Sequence, residues 1–196
     1  MSTQGPKYAI EAGNNLDIGT VEWIDLANAQ GGPNEQNPGA SCVLGISDKI
    51  TYYLACTNFA FGIPSAAIIK GITVEFNKRS LTDNPFDCND NSVKIIVSGT
   101  ISGDEKADTV TDWNSTDFTF ATYGSSADLW GVSFTAANIN DSGFGCGLSA
   151  TGINGSEPSC NGCRITINYD SGPFETMSIS TAGQVSIASN STLKFL

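Results

Sequence analysis

Asn58-Phe59-Ala60-Phe61-Gly62-Ile63-Pro64 runs on to Ile68-Ile69-Lys70-Gly71-Ile72-Thr73-Val74-Glu75-Phe76. The second half alternates. Ile72, Val74 and Phe76 fall on one face and Thr73, Glu75 and Asn77 on the other, the period of a half-buried strand. A second block, Tyr123-Gly124-Ser125-Ser126-Ala127-Asp128-Leu129-Trp130-Gly131 followed by Phe144-Gly145, is also apolar, aromatic and broken by glycine. Neither block is expected to hold a catalytic group. Both read as the framework of a β-sandwich.

Strand-like segments recur outward from these blocks, at 42–46, 50–56, 68–77, 93–101, 118–120, 131–134, 144–150 and 163–169. Val93, Ile95 and Val97 alternate against Ser92, Lys94 and Ile96. Gly, Asn, Asp or Pro separates most segments, and many short strands with regular turn signals predict a sandwich or barrel. Thr135-Ala136-Ala137-Asn138-Ile139-Asn140 is the best short helix. The expected fold class is all-β: an antiparallel β-sandwich, jelly-roll or immunoglobulin-like, over residues 21–170. Residues 1–20 are polar, with Pro6 and Gly13, and read as an extended N-terminal arm.

Residues 171–196 read as a C-terminal β tail. Three apolar pairs, Met177 and Ile179, Val185 and Ile187, Leu193 and Phe195, have an internal spacing of two and repeat every eight residues. Each pair is one face of a short strand. Such small rungs cannot bury their faces alone, so copies of the chain or a groove must cover them. This predicts an assembly tail, with a meander folded back on its own domain, or a mobile tail, as the alternatives.

Bulk composition narrows the function. The chain has 196 residues, long enough to bury ~70% of its unfolded surface without a metal or disulfide. Nine Lys and Arg stand against twenty Asp and Glu, a net charge of −11, with no basic cluster. Nucleic acid is therefore not an expected partner, because phosphates are held by Lys and Arg. No apolar run is long enough to span a membrane as a helix. The N-terminus, Met-Ser-Thr-Gln-Gly-Pro-Lys, lacks the apolar core of a signal peptide, so the signal-peptide export route is not expected.

The chain contains no histidine, the commonest general base, and no nucleophile–histidine arrangement. The expectation is a non-enzymatic protein without a cofactor. Six cysteines, Cys42, Cys56, Cys88, Cys146, Cys160 and Cys163, are candidate disulfide partners. Cys160-Asn161-Gly162-Cys163 has zinc or redox spacing. It lacks a second ligand pair, and a strand rather than a helix follows it. Asp83, Asp87, Asn89 and Asp90 form a weak calcium candidate. The EF-hand pattern fails at Ser92, where Gly is needed, and at Ser98, where Glu is needed. Asn114, Asn140, Asn154 and Asn190 open glycosylation triplets, about the number that chance supplies in so Asn- and Ser-rich a chain. Trp23, Trp113 and Trp130 are candidates for stacking on sugars. Trp130 has the apolar neighbours of a core residue, and Trp113 is expected to be accessible.

The first block resembles a recurring pattern of tailed-phage structural proteins, a Phe-Gly-Phe-x-Ile-Pro loop followed by Ile-x-Gly-Ile-x-Val-Glu. Tyr123-Gly124, Asp128-Leu129-Trp130-Gly131, Phe134-Thr135-Ala136, Asn138-Ile139-Asn140 and Phe144-Gly145 are similar to its second half. Arg164-Ile165-Thr166-Ile167-Asn168-Tyr169 is similar to its closing strand, and Gly19-Thr20-Val21-Glu22-Trp23 to its opening. The resemblance spans roughly residues 5–170, and related sandwiches occur in bacterial surface proteins. Cys146 and Cys163 depart from it, standing where small or β-branched residues are usual; disulfides there would suit a particle in harsh surroundings. The resemblance implies a virion structural subunit: a head decoration, fibre or tail appendage that assembles with copies of itself and other virion proteins. The alternatives are a pilus-like extracellular filament subunit joined by strand donation, and a module that binds cell-surface glycans.

Overall fold

A computed structural model describes residues 1–34, 38–47, 49–81, 88–153 and 155–172. It contains ten strands: β1 Ser2–Tyr8, β2 Glu11–Asn15, β3 Ala40–Ser41, β4 Tyr53–Thr57, β5 Ile68–Ser80, β6 Cys88–Val97, β7 Thr100–Ser102, β8 Thr119–Gly124, β9 Gly145–Gly152 and β10 Pro158–Asp170. Besides a 3-10 turn at Leu26–Ala29, the described residues hold an α-helix, α1 Ala136–Asn140, close to its expected place. Thr135 caps it by accepting from the Asn138 N–H, while the Asn138 side chain accepts from the Thr135 N–H. No helix among the described residues is long and apolar enough to cross a membrane.

The strands form two five-stranded antiparallel sheets. One runs β1-β10-β5-β8, with β3 also paired to β10; the other runs β2-β4-β9-β6-β7. Alternate residues of both sheets point into one core, giving a β-sandwich-like architecture. Ile72, Val74 and Phe76 of β5 and Cys163, Ile165 and Ile167 of β10 meet Leu54 and Cys56 of β4, Val93 and Ile95 of β6, and Cys146, Leu148 and Ala150 of β9.

The two sequence blocks lock onto each other. The indole N–H of Trp130 donates to the Ile72 carbonyl at 2.9 Å. Both glycines at this contact are forced. A Cβ on Gly71 would lie 2.2 Å from the Ser126 carbonyl carbon, and one on Gly124, at φ +70°, would lie 2.4 Å from the Ile72 oxygen. The aromatic residues pack as a cluster, with Phe59–Phe61, Phe61–Phe144 and Phe134–Phe144 ring centroids 6.0–6.1 Å apart. Asn140 acts as a substitute strand. Its amide accepts from the Ile63 N–H and donates to the Ile63 carbonyl, both at 2.8 Å.

Several segments differ from expectation. Residues 1–20, expected as an arm, supply β1 and β2, which pair with β10 and β4. An edge strand is held by its backbone, so its side chains can stay polar and the apolar alternation is lost. Gln4 of β1 also accepts from the Gly62 N–H at 3.0 Å, and Lys7 donates to the Ala60 carbonyl. The expected strand 93–101 is split by left-handed Ser98 (φ 49°) and Gly99 (φ 79°) into a two-residue hairpin. Residues 131–134 are not a strand. Trp130 (φ 55°) and Gly131 (φ 67°) turn the chain there, and the Trp130 N–H is tied to the Asp128 carboxylate at 2.7 Å. Residues 42–46 follow β3 as an irregular segment. The expected tail residues Met177, Ile179, Val185, Ile187, Leu193 and Phe195 lie outside the described residues.

Candidate functional site

The inward register of β5 does not end at Phe76. The next inward residue is Lys78, which is buried. Facing it across the core is Asp90 of β6, which is completely buried. A register shift between Asp90 and Ser92 gives β6 one extra residue, and this turns Asp90 inward alongside Val93 and Ile95. Tyr123 comes from β8 and Trp113 from the segment between β7 and β8. Four elements thus bring an amine, a carboxylate, a phenol and an indole into one buried cluster.

The Lys78 ammonium donates directly to Asp90 Oδ1 and, at 2.6 Å, to the Tyr123 hydroxyl. That hydroxyl in turn donates to Asp90 Oδ2 at 2.8 Å. The Trp113 indole N–H donates to Oδ1 at 2.8 Å, and the Asp108 backbone N–H to Oδ2 at 3.0 Å. Both carboxylate oxygens therefore carry two donors each. The ammonium sits 4.5 Å from the Trp113 ring centroid and 5.3 Å from that of Tyr123. Burial holds the Lys78 ammonium below its ordinary range, and the neighbouring Asp90 charge only partly opposes this. Burial, then the Asp90 charge, pushes the Tyr123 phenol far above its ordinary range, so it stays protonated. A pocket of about 130 Å³ lies against Lys78, lined also by Asp108, Thr111, Trp113 and Asn114.

A larger open groove of about 530 Å³ lies elsewhere. Val21, Ile24, Val43 and Leu81 give it an apolar floor, and Glu22 and Glu157 make its charge acidic. Its lining reaches Pro38 and Leu81, each next to residues outside the described set.

The residues singled out from sequence are placed differently from one another. All three tryptophans are buried, including Trp113, which was expected to be accessible. Trp113 is drawn inward by its hydrogen bond to Asp90, so its ring faces Lys78 rather than a sugar. Asn89 and Asp90 lie in β6, and Asp90 is committed to its four donors; Asp83 and Asp87 fall outside the described residues. Among the described residues no group of three or more His, Cys, Asp or Glu side chains is arranged to hold a metal ion.

All six cysteines are buried and carry free thiols. Cys160 and Cys163 flank an irregularity within β10 rather than preceding a strand. Cys146 of β9 and Cys163 of β10 meet across the core with sulfurs 3.0 Å apart. Burial pushes the Cys42 and Cys88 thiols up to about 12, and raises Cys146, Cys160 and Cys163 as well. These thiols are not activated nucleophiles.

Lys78, Asp90 and Tyr123 were not recognised as a unit from sequence. The signal for Lys78 was present, as the next step of the Ile72, Val74, Phe76 alternation. For Asp90 it was hidden, because counting back by twos from Val93 arrives at Asn91. Comparison with protein-family models, curated proteins and solved structures finds no match for this chain.

Proposed function

We propose that the chain is a non-enzymatic structural subunit of a virion, a head decoration, fibre or tail appendage, that assembles in many copies. The observation that carries this reading is the strand order. With β3 set aside and one strand of the β2–β4 pair kept, the remaining eight strands run 1-8-3-6 in one sheet and 2-7-4-5 in the other. This interleaving supports a jelly roll rather than an immunoglobulin-like sandwich, an architecture used by capsid domains and also by lectins. Fold alone does not name a function. The likeness of the two motif blocks to tailed-phage structural proteins favours the capsid side. The burial of all three tryptophans removes the residues on which a glycan-binding role was expected to rest. The period-eight apolar pairs after Pro173 supply the expected contact between copies.

Light scattering of the full chain over a range of concentrations tests the proposal. The expected result is a defined oligomer that becomes a monomer when Met177, Ile179, Val185, Ile187, Leu193 and Phe195 are all replaced by serine. A full chain that stays monomeric at every concentration overturns it.

A further inference from the structure

The Lys78 cluster is organised beyond what an ion pair needs. A buried ion pair is a weak source of stability, because both charges are desolvated and an apolar pair of the same volume does as well or better. Here the two charged groups sit on facing sheets with a phenol bridging them on one side and an indole N–H on the other.

We propose that Lys78 and Asp90 condense into an intramolecular amide, a covalent bond between Lys78 Nζ and Asp90 Cγ that ties β5 to β6 across the sandwich. The groups required are joined by hydrogen bonds. Tyr123 accepts from Lys78 Nζ at 2.6 Å and donates to Asp90 Oδ2 at 2.8 Å. A proton passed along this line leaves a neutral amine and a protonated carboxyl group, with the phenol itself unchanged. The amine lone pair then forms the Nζ–Cγ bond. The electron pair of the carbonyl moves onto Oδ1, where the Trp113 indole N–H, 2.8 Å away, stabilises the developing charge. When the carbonyl re-forms, the Cγ–Oδ2 bond breaks. Tyr123 relays a second Nζ proton to the departing oxygen, which leaves as water. One ammonium and one carboxylate become one amide and one water, and nothing is oxidised or reduced.

The surroundings favour each step. Burial lowers the proton affinity of Lys78, which makes the neutral amine accessible. Tyr123 keeps its proton and so remains a relay. Fixed geometry replaces a bimolecular encounter by an intramolecular one. In water such a condensation runs backwards. In this core the ionic reactants bear a desolvation cost that the neutral amide does not, and the released water has a pocket of about 130 Å³ beside Lys78 to enter. Tyr123 and Trp113 are the catalytic residues of this single-turnover reaction. Asp108, whose backbone N–H holds Oδ2, is a positioning residue.

Intact-mass measurement on the denatured, reduced and alkylated full chain tests this directly. The expected mass is one water below that of the sequence with its six cysteines alkylated. In a protease digest, the peptides holding Lys78 and Asp90 should appear as one branched species. Lys78→Met and Asp90→Ala should each restore the full mass, and Tyr123→Phe should leave most of the chain unlinked. A wild-type chain at full sequence mass, fresh and after prolonged incubation, overturns the proposal whatever the variants do. Loss of a water with the two peptides running separately overturns it too. Complete linkage in Tyr123→Phe overturns the relay assigned to Tyr123.

Discussion

The two ends of β5 face the same core with opposite chemistry. Ile72, Val74 and Phe76 meet apolar residues of the second sheet, and every inward neighbour is replaceable by another hydrocarbon of similar shape. Two residues further on, Lys78 meets Asp90 in a site where no group can be removed without stranding another. The first end is stabilised by surface removed from water. The second depends on complete satisfaction, because the low dielectric that strengthens each hydrogen bond also penalises each missing one. One strand thus carries a tolerant half and an exacting half, divided between Phe76 and Lys78, with Tyr123 touching both through its 6.1 Å edge contact with Phe76.

The difference is tested most strongly by breaking one partner and then both. Asp90→Ala strands the Lys78 ammonium, the Trp113 indole and the Tyr123 hydroxyl, and should cost at least about 3–5 kcal/mol in urea unfolding. The double change Lys78→Met with Asp90→Leu removes the stranded charge and should recover part of that loss, the Trp113 indole and the Tyr123 hydroxyl still lacking their acceptor. Phe76→Ala should cost about 3–5 kcal/mol from lost burial and cavity formation, with no second-site charge change able to restore it. Between the two blocks, Gly124→Ala forces a Cβ at φ +70° against the Ile72 carbonyl. Strain of this kind should cost about 1–3 kcal/mol, read from the unfolding midpoint.

Alkaline pH should weaken the core from a different direction. Cys42 and Cys88 have folded values of about 12 against an ordinary 9.0. Between these limits the unfolded chain binds fewer protons than the folded one, so stability falls as pH rises. Their contribution is complete below pH 9 and is lost on the way to 12. Unfolding curves collected across that range should show the decline, and Cys42→Ala should make it shallower. The smallest effect belongs to the surface of the first sheet. Arg164 grips Glu75 with two bonds of 2.7 and 2.8 Å and stacks on Phe120, with its charged end 3.9 Å from the ring centroid. Glu75→Gln should cost about 0.2–1 kcal/mol, less at high salt.

The framework was readable because burial leaves a periodic trace. The alternation at Ile72, Val74 and Phe76, the short helix expected at 135–140 and the Phe–Gly punctuation all correspond to features of the fold. The polar strands β1 and β2 left no such trace, since an edge strand is specified by backbone pairing with its neighbour. The exacting half of β5 was legible in part. Lys78 continues a visible alternation, whereas Asp90 is displaced by a bulge that no count of residues reveals. Trp113 misled for a related reason: its neighbours in sequence, Asp112 and Asn114, are polar, but its partner in space is a buried carboxylate.

The sequence by itself determined that this chain builds an all-β framework, where its principal inward faces lie, and that histidine chemistry is absent. Those properties reside in local periodicity and composition, which each segment carries alone. Only the tertiary structure decided which strand neighbours which, that the N-terminal residues close both sheets, and that an amine, a carboxylate, a phenol and an indole share one buried site. Lys78, Asp90, Trp113 and Tyr123 come from four separate stretches of chain, and their chemistry exists only once the two sheets have closed over them.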